Sequence, residues 1–88
     1  ICLSVNDAWV MDAWGKAQGA DGKVMMVGDG NGDLSRELGF LVDMSGAGFG
    51  ERSIRYAMII ENGVVTHLNV EAPREFKISD ADTMLQLL

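Results

Sequence analysis

The pattern of apolar and polar residues in the first part of the chain predicts a strand, a helix and a second strand. An apolar run over residues 1–5 stops at Asn6 and Asp7, which is typical of a buried strand followed by a helix cap. A helix is predicted over 8–18, because apolar residues recur there with the 3.6-residue period of a core-facing helix. The residues of that stripe are Val10, Ala13, Trp14 and Ala17. The second strand is predicted over 23–27.

The middle of the chain is rich in glycine and carries weaker patterns. Residues 28–32 can only form a turn or loop, and a short helix is predicted over 33–38, with Asp33 as its cap and Gly39 at its end. Residues 40–54 show neither the helical nor the strand period, so we predict an irregular segment there.

The clearest local pattern is a β-hairpin. Asn62 and Gly63 stand between two β-rich runs, 56–60 and 64–70, and this dipeptide is the strongest short-range indication of a two-residue hairpin turn. The first run is apolar on both faces and is predicted to be interior. The second alternates apolar and polar residues, which predicts a half-exposed strand nearer a sheet edge.

A final helix is predicted to start at Ser79, where Asp82 three residues later gives an acidic version of the capping box. Its apolar stripe would consist of Ala81, Met84, Leu85 and Leu88. The predicted order is therefore β-α-β-α-β-β-α, an α/β class, in a single domain over residues 1–88. A helix, an antiparallel hairpin and a closing helix match the C-terminal portion of a thioredoxin-like fold, although many α/β domains share that order.

Composition narrows the classes of function. The net charge is −6, with 13 acidic against 7 basic residues, and such a surface repels phosphate backbones, so a nucleic acid partner is not expected. No apolar run approaches the length that spans a bilayer, so no membrane partner is expected. One cysteine and one histidine exclude a closed Cys/His zinc site, and we predict neither a metal nor a cofactor.

The first residues of the chain give an expectation about whether it is part of a longer protein and where that protein is located. It begins at Ile1 inside a strand-like run, without a basic segment followed by an apolar one, so we expect a piece of a longer product with no visible targeting signal. A single cysteine, Cys2, suits a reducing compartment. The expected location is cytoplasmic, and an organelle stays open.

Five segments in the same order and spacing resemble the type II (atypical, redoxin-domain) peroxiredoxins. They are CLSVNDAWV at 2–10, WGK at 14–16, GERSIRYAM at 50–58, LNVE at 68–71 and FKISDADTML at 76–85. The resemblance extends over all 88 residues and implies the C-terminal part of a thioredoxin-like domain. The family's preceding strand and its helix with the Pro-x-x-x-Thr-x-x-Cys motif, whose cysteine attacks peroxide, have no match here. Cys2 matches a strand cysteine that is not the reactive one, and is expected to be a small buried residue.

The resemblance also implies roles for individual residues. Arg55 matches the arginine that peroxiredoxins direct at the reactive thiolate and the peroxide; from the residues alone, a surface arginine at a strand end is the simpler interpretation. Arg52 also stands in the motif and would have at most a supporting role at the substrate pocket or dimer interface. Phe49 would wall the substrate pocket and the dimer contact, or simply pack in its loop. Trp9 lies off the helix stripe and would be a dimer-interface aromatic, or a peripheral core residue.

The expected function follows from the family. With its missing part, the protein would be a thiol-dependent peroxidase that reduces hydrogen peroxide and alkyl hydroperoxides, while these 88 residues alone would be inactive. No resolving cysteine is present near the C-terminus, so glutathione, glutaredoxin or thioredoxin would be the reductant, and a homodimer is expected. The alternative is a non-enzymatic thioredoxin-like binding or dimerisation module. In both cases the missing strand would lie between the first strand and strand 56–60, so we expect the isolated chain to be poorly folded or self-associated.

Overall fold

A computed structural model describes all 88 residues, which form two compact units, Ile1–Ser53 and Ile54–Leu88. The first unit contains β1 (Cys2–Ser4), α1 (Ala8–Ala17), β2 (Met26–Gly28), α2 (Asp33–Glu37), β3 (Leu41–Asp43), a 3-10 helix (Ser45–Ala47) and β4 (Glu51–Ser53). The second contains β5 (Tyr56–Glu61), β6 (Val64–Val70) and α3 (Ala81–Leu85). None of these helices has the length and hydrophobicity that crossing a membrane requires. The assignment of residues 1–88 to a single domain stays a prediction.

The first unit starts with a parallel β-α-β arrangement. β1 pairs with β2, with Cys2 opposite Met26, and α1 connects the two strands. The helix begins where predicted, because the Asp7 carboxylate accepts a hydrogen bond from the Val10 amide at 2.8 Å. β2 is shorter than predicted: Lys23 lies in a turn, where its amide donates to the Ala20 carbonyl, so only Met26–Gly28 joins the sheet.

The buried face of α1 is not the predicted one. Met11 and Gly15 are buried, whereas Val10 and Trp14 are 47% and 44% exposed. Ala13 and Ala17 are exposed as well. At about 100° per residue, the observed face lies about 130° around the helix from the predicted stripe. Gly15 explains the difference, since a Cβ there would come 2.8 Å from the Met26 Cγ. The helix therefore approaches β2 through the residue with no side chain, which an apolar stripe does not reveal.

The cap of α2 also differs from the prediction. Asp29, four residues before the helix, accepts hydrogen bonds from the Leu34 and Ser35 amides and from the Ser35 hydroxyl. Gly32 occupies the N-cap position in a left-handed conformation, φ 72°, and gives no side-chain bond. Asp33 is the first helical residue and forms an exposed ion pair with Arg36. Asp29 therefore supplies the capping hydrogen bonds from outside the N-cap position, because the turn folds back far enough for its carboxylate to reach the helix amides.

Residues 40–54 are not irregular, as predicted, but contain an antiparallel pair. β3 pairs with β4, with Leu41 opposite Ser53 and Asp43 opposite Glu51. The connection is held by the Asp43 carboxylate, which accepts hydrogen bonds from the amide and hydroxyl of Ser45. Each strand has three residues, too few for a period of two to be recognised in the sequence.

The second unit confirms the predicted hairpin. β5 and β6 are antiparallel, with Tyr56 opposite Val70, and a bulge between Ile59 and Ile60 shifts the register. Asn62 and Gly63 both have positive φ, 51° and 78°, as a type I′ turn requires. β5 is half-buried over most of its length while β6 is mostly exposed, in the direction that the patterns predicted.

The last helix starts later than predicted. Asp80, not Ser79, is its N-cap, because the Asp80 carboxylate accepts a hydrogen bond from the Thr83 amide. The Ser79 hydroxyl instead donates to Glu71. Of the predicted stripe, only Met84 is half-buried; the exposed residues are Ala81, Leu85 and Leu88. The helix has five residues, so its stripe covers little more than one turn.

The strands form three separate two-stranded sheets. β1 pairs only with β2, and β5 pairs only with β6, so each of these strands has one edge without a partner strand. Open edges of this kind offer backbone amides and carbonyls to another strand. The position of a missing strand between β1 and β5 stays a prediction.

Candidate functional site

Arg52 is held firmly in the first unit. From β4, its Nε donates a hydrogen bond to the Phe49 carbonyl at 2.8 Å, and its Nη1 donates to the Val5 carbonyl at 2.7 Å and to the Asn6 Oδ1 at 3.2 Å. These bonds join the loop before β4 to the turn between β1 and α1. Because Nε and Nη1 of its guanidinium donate to these oxygens, the side chain of Arg52 is fixed in place and helps to hold the unit together.

The two predicted aromatic residues are both accessible. Trp9 is 83% exposed on α1, and Phe49 is 56% exposed just before β4. Phe49 is joined to Arg52 through its backbone carbonyl. Nothing in this chain covers most of the Trp9 side chain. The predicted roles of both residues at a pocket or dimer contact stay predictions.

Arg55 has a different environment in the second unit. It lies immediately before β5, its side chain is exposed, and its Cζ stands 4.4 Å from the centre of the Phe76 ring. This distance is within the range of a cation–π interaction. No ion pair or side-chain hydrogen bond engages its guanidinium in the structure. A cation–π contact uses none of the N–H donors of the guanidinium for a hydrogen bond, so they stay available to an acceptor outside this chain.

Glu71 forms a network that the sequence did not single out as a site. Its side chain is only 7% exposed, directly after β6. Its Oε2 accepts four hydrogen bonds, from the amides of Lys77, Ile78 and Ser79 at 2.8, 2.9 and 2.8 Å and from the Ser79 hydroxyl at 2.6 Å. The Glu71 amide donates to the Arg55 carbonyl at 3.0 Å, which extends the β5–β6 ladder by one bond. Its only signal in the sequence was its place in the matching segment LNVE.

The electrostatics of Glu71 follow from this network. Burial raises the pKa of a carboxyl group, but the Ser79 hydroxyl and the three amides stabilise the charged form more strongly, and they lower the pKa of Glu71 from 4.5 to about 2. Glu71 is therefore ionised at neutral pH. Its negative charge is compensated by donors of the 77–79 segment rather than by a cation.

Cys2 has none of the features of a reactive thiol. It lies half-buried in β1, and burial, only partly offset by the positive N-terminus, raises the pKa of its thiol. A raised pKa keeps the sulfur protonated at neutral pH, whereas nucleophilic attack needs the thiolate. Cys2 was expected to be a small buried residue, and in the structure it is half-buried.

Comparison with known proteins places the chain in a family. A protein-family model described as Redoxin matches residues 1–85. The chain belongs to the redoxin family. This confirms the redoxin-domain resemblance drawn from the five segments.

Similar redoxin proteins carry peroxiredoxin names. The chain is 50% identical to a peroxiredoxin from Synechocystis, over 100% of this chain and 50% of that protein. It is 43% identical to peroxiredoxin-2C from Arabidopsis thaliana, over 100% of this chain and 54% of that protein. This redoxin chain thus spans about half the length of the relatives it matches, as the resemblance to the C-terminal part of a peroxiredoxin predicted.

A solved structure supports the same assignment. Reduced Prx3 from Vibrio vulnificus, crystallised in complex with hydrogen peroxide, is 54% identical and superposes with a TM-score of 0.89, over 97% of this chain and 52% of that one. The predicted α/β, thioredoxin-like class is therefore confirmed for this redoxin chain, which contains part of that fold.

Proposed function

We propose that the whole protein containing this chain is a thiol-dependent peroxidase that reduces hydrogen peroxide and alkyl hydroperoxides. The peroxiredoxin names of its relatives support this function, as does the hydrogen peroxide complex of the similar Prx3. The reactive cysteine would come from a part of the protein outside these 88 residues, because Cys2 is half-buried in β1 with a raised pKa.

The proposed reaction starts with the reactive thiolate. Its sulfur attacks one peroxide oxygen, an S–O bond forms, and the O–O bond breaks. The leaving hydroxide or alkoxide takes up a proton and becomes water or an alcohol. The sulfur gives two electrons to the peroxide and becomes a sulfenic acid, which two equivalents of thiol return to the free thiol while a disulfide and water form. Glutathione, glutaredoxin or thioredoxin is the proposed reductant.

The proposal is carried by the guanidinium of Arg55. It is exposed, it lies on the Phe76 ring, and no acceptor of this chain engages its donors. A permanently charged group with unengaged, in-plane donors suits the negative charge that develops on the sulfur and on the departing oxygen. Arg52, in contrast, uses its Nε and Nη1 for bonds to the Phe49 and Val5 carbonyls of its own unit. We assign transition-state stabilisation to Arg55 and a supporting structural role to Arg52.

The test uses the whole protein with hydrogen peroxide and dithiothreitol. We expect Arg55→Ala to lower the second-order rate constant for hydrogen peroxide by about 100-fold or more, the usual loss when one preorganised donor is removed. Arg55→Lys should restore only part of the rate, because an ammonium lacks the planar fork. Arg74→Ala is the matched control, since it removes another exposed arginine of the same unit. An unchanged rate in Arg55→Ala would remove Arg55 from the mechanism.

A second function has its own supporting observation. β1 and β5 each leave one edge without a partner strand, and Trp9 is largely exposed, which suits a binding or dimerisation module. Homodimerisation is part of both proposals, with Trp9 and Phe49 as the proposed contact residues, and so is a cytoplasmic location. A whole protein that consumes no peroxide in the presence of dithiothreitol, yet elutes as a dimer that Trp9→Ala weakens, would favour the module over the enzyme.

A further inference from the structure

The loop between β6 and α3 is closed by one buried side chain. Glu71 lies at the start of this loop, and its Oε2 gathers the amides of Lys77, Ile78 and Ser79 near its end. Three consecutive amides on one oxygen, joined by the Ser79 hydroxyl, fix the path of the backbone more tightly than a single bond would. The conformation of residues 77–79 therefore depends on the carboxylate of Glu71.

That loop carries the ring on which Arg55 rests. Phe76 directly precedes Lys77, whose amide is one of the donors to Glu71. Phe76 is itself 58% exposed, so apolar packing does little to hold its ring in place. Its position is set mainly by the backbone of the neighbouring residues, and that backbone is anchored to Glu71.

The backbone of Glu71 also contacts Arg55 directly. Its amide donates to the Arg55 carbonyl at 3.0 Å, so the backbone of Arg55 is tied to the same residue whose carboxylate holds the Phe76 loop. We infer that Glu71 is a positioning residue for Arg55: it fixes the Arg55 backbone through its amide and the Phe76 ring under the guanidinium through its carboxylate. The inference rests on the proposed function, in which Arg55 meets the peroxide.

Loss of this positioning should slow the reaction with peroxide without changing the charge of the site. A guanidinium held over a ring loses conformational freedom before the peroxide binds, so less has to be lost when the peroxide reacts. If the ring moves, Arg55 keeps its charge but samples many side-chain conformations. A displacement of about 1 Å at a reacting group can cost about 100-fold in rate, so a partial loss of order is enough to be measured.

The test compares variants of the whole protein with hydrogen peroxide as substrate and dithiothreitol as reductant. We expect Glu71→Ala to lower the rate constant for peroxide about tenfold or more, and Phe76→Leu to lower it by a similar factor. Glu71→Gln keeps an acceptor oxygen and should recover part of the rate. The rate at which dithiothreitol reduces the oxidised enzyme should stay unchanged, because Arg55 is not needed for that step in the proposal.

A double variant distinguishes positioning from general stabilisation. If Glu71 acts through the ring, adding Glu71→Ala to Phe76→Leu should lower the rate much less than Glu71→Ala does alone. Asp80→Ala is the matched control: it removes the cap of α3 in the same unit without touching the bonds of Glu71. This control should reduce stability and leave the peroxide rate constant unchanged.

The variants distinguish a failure of the proposed role of Arg55 from a failure of the positioning role of Glu71. If Arg55→Ala leaves the rate unchanged, the proposed role of Arg55 is wrong. If Arg55→Ala slows the reaction but Phe76→Leu and Glu71→Gln both match the unsubstituted protein, the positioning role alone is wrong. Should Glu71→Ala fail to fold, these two milder variants decide the question. Equal slowing of peroxide reduction and of dithiothreitol recycling would likewise overturn the inference.

Discussion

The contact between β2 and the β1–α1 turn depends on the missing side chain of Gly28. A Cβ built on Gly28 would stand 2.7 Å from the Asn6 carbonyl oxygen, 3.1 Å from the Asp7 carbonyl carbon and 3.2 Å from the Ala8 nitrogen. All three atoms belong to the backbone, so no flexible side chain can move aside. We therefore predict that Gly28→Ala pushes the end of β2 away from the turn that Arg52 binds.

The size of the effect follows from two opposing contributions. Overpacking costs about 1–3 kcal/mol, and a clash with backbone on several sides belongs at the upper end. Replacing glycine by alanine restricts the unfolded chain and returns about 0.4–1 kcal/mol. The net loss in the free energy of unfolding is about 2 kcal/mol, which raises the unfolded-to-folded ratio about 30-fold. Urea unfolding of the whole protein, at a fixed protein concentration, measures this difference.

Gly30→Ala provides the matched control, because Gly30 lies two residues after Gly28 in the turn that follows β2. Its Cβ would lie 3.8 Å from the same Asn6 oxygen, an ordinary contact distance. We expect a change within about 0.5 kcal/mol for this variant. If Gly28→Ala is no less stable than Gly30→Ala, then the close approach of β2 to the turn is not a feature of the folded protein, and the reasoning fails.

Two further predictions concern Arg52 and Glu71. Arg52→Ala should lower the free energy of unfolding by about 1.5–3 kcal/mol, because it removes charge-assisted bonds to the Val5 and Phe49 carbonyls; urea unfolding checks this, and a loss no larger than that of Arg74→Ala would contradict it. Glu71 has a folded-state pKa of about 2, below its ordinary 4.5, so its contribution to stability is present above pH 4.5 and disappears as the pH falls through 2. Unfolding measured between pH 2 and 5 should therefore depend less on pH in Glu71→Gln than in the unsubstituted protein; equal slopes would speak against the network.

The sequence predicts a structural element best where residues within or next to that element determine its conformation. Asn62 and Gly63 supply the two positive φ angles of the hairpin turn by themselves, and Asp7 caps α1 within its own first turn. The pair β3–β4 escapes prediction because its strands have three residues each and are joined across a loop held by Asp43. Pairing over that distance leaves no periodic pattern in either strand.

Prediction from the sequence also fails for two capping residues and for the buried face of α1. Asp29 and Glu71 both reach amides several residues further along the chain, at 34–35 and 77–79, and such bonds depend on how the loop folds back. The buried face of α1 depends on Gly15, whose contribution is the absence of a side chain. In each case a neighbour that is distant in sequence decides the outcome, so a pattern read along the chain selects the wrong residue.

The two arginines of the segment RSIR show what geometry adds to a motif match. The resemblance placed Arg55 at the reactive position and gave Arg52 a lesser role, but nothing in their spacing separates them physically. In the structure, Arg52 is bound to three oxygens of its own unit, and turning it toward a ligand would leave those oxygens without their donor. Arg55 rests on a ring and has no acceptor to give up. A substitution at position 52 should therefore be detected mainly as a loss of stability, and one at position 55 mainly as a loss of rate.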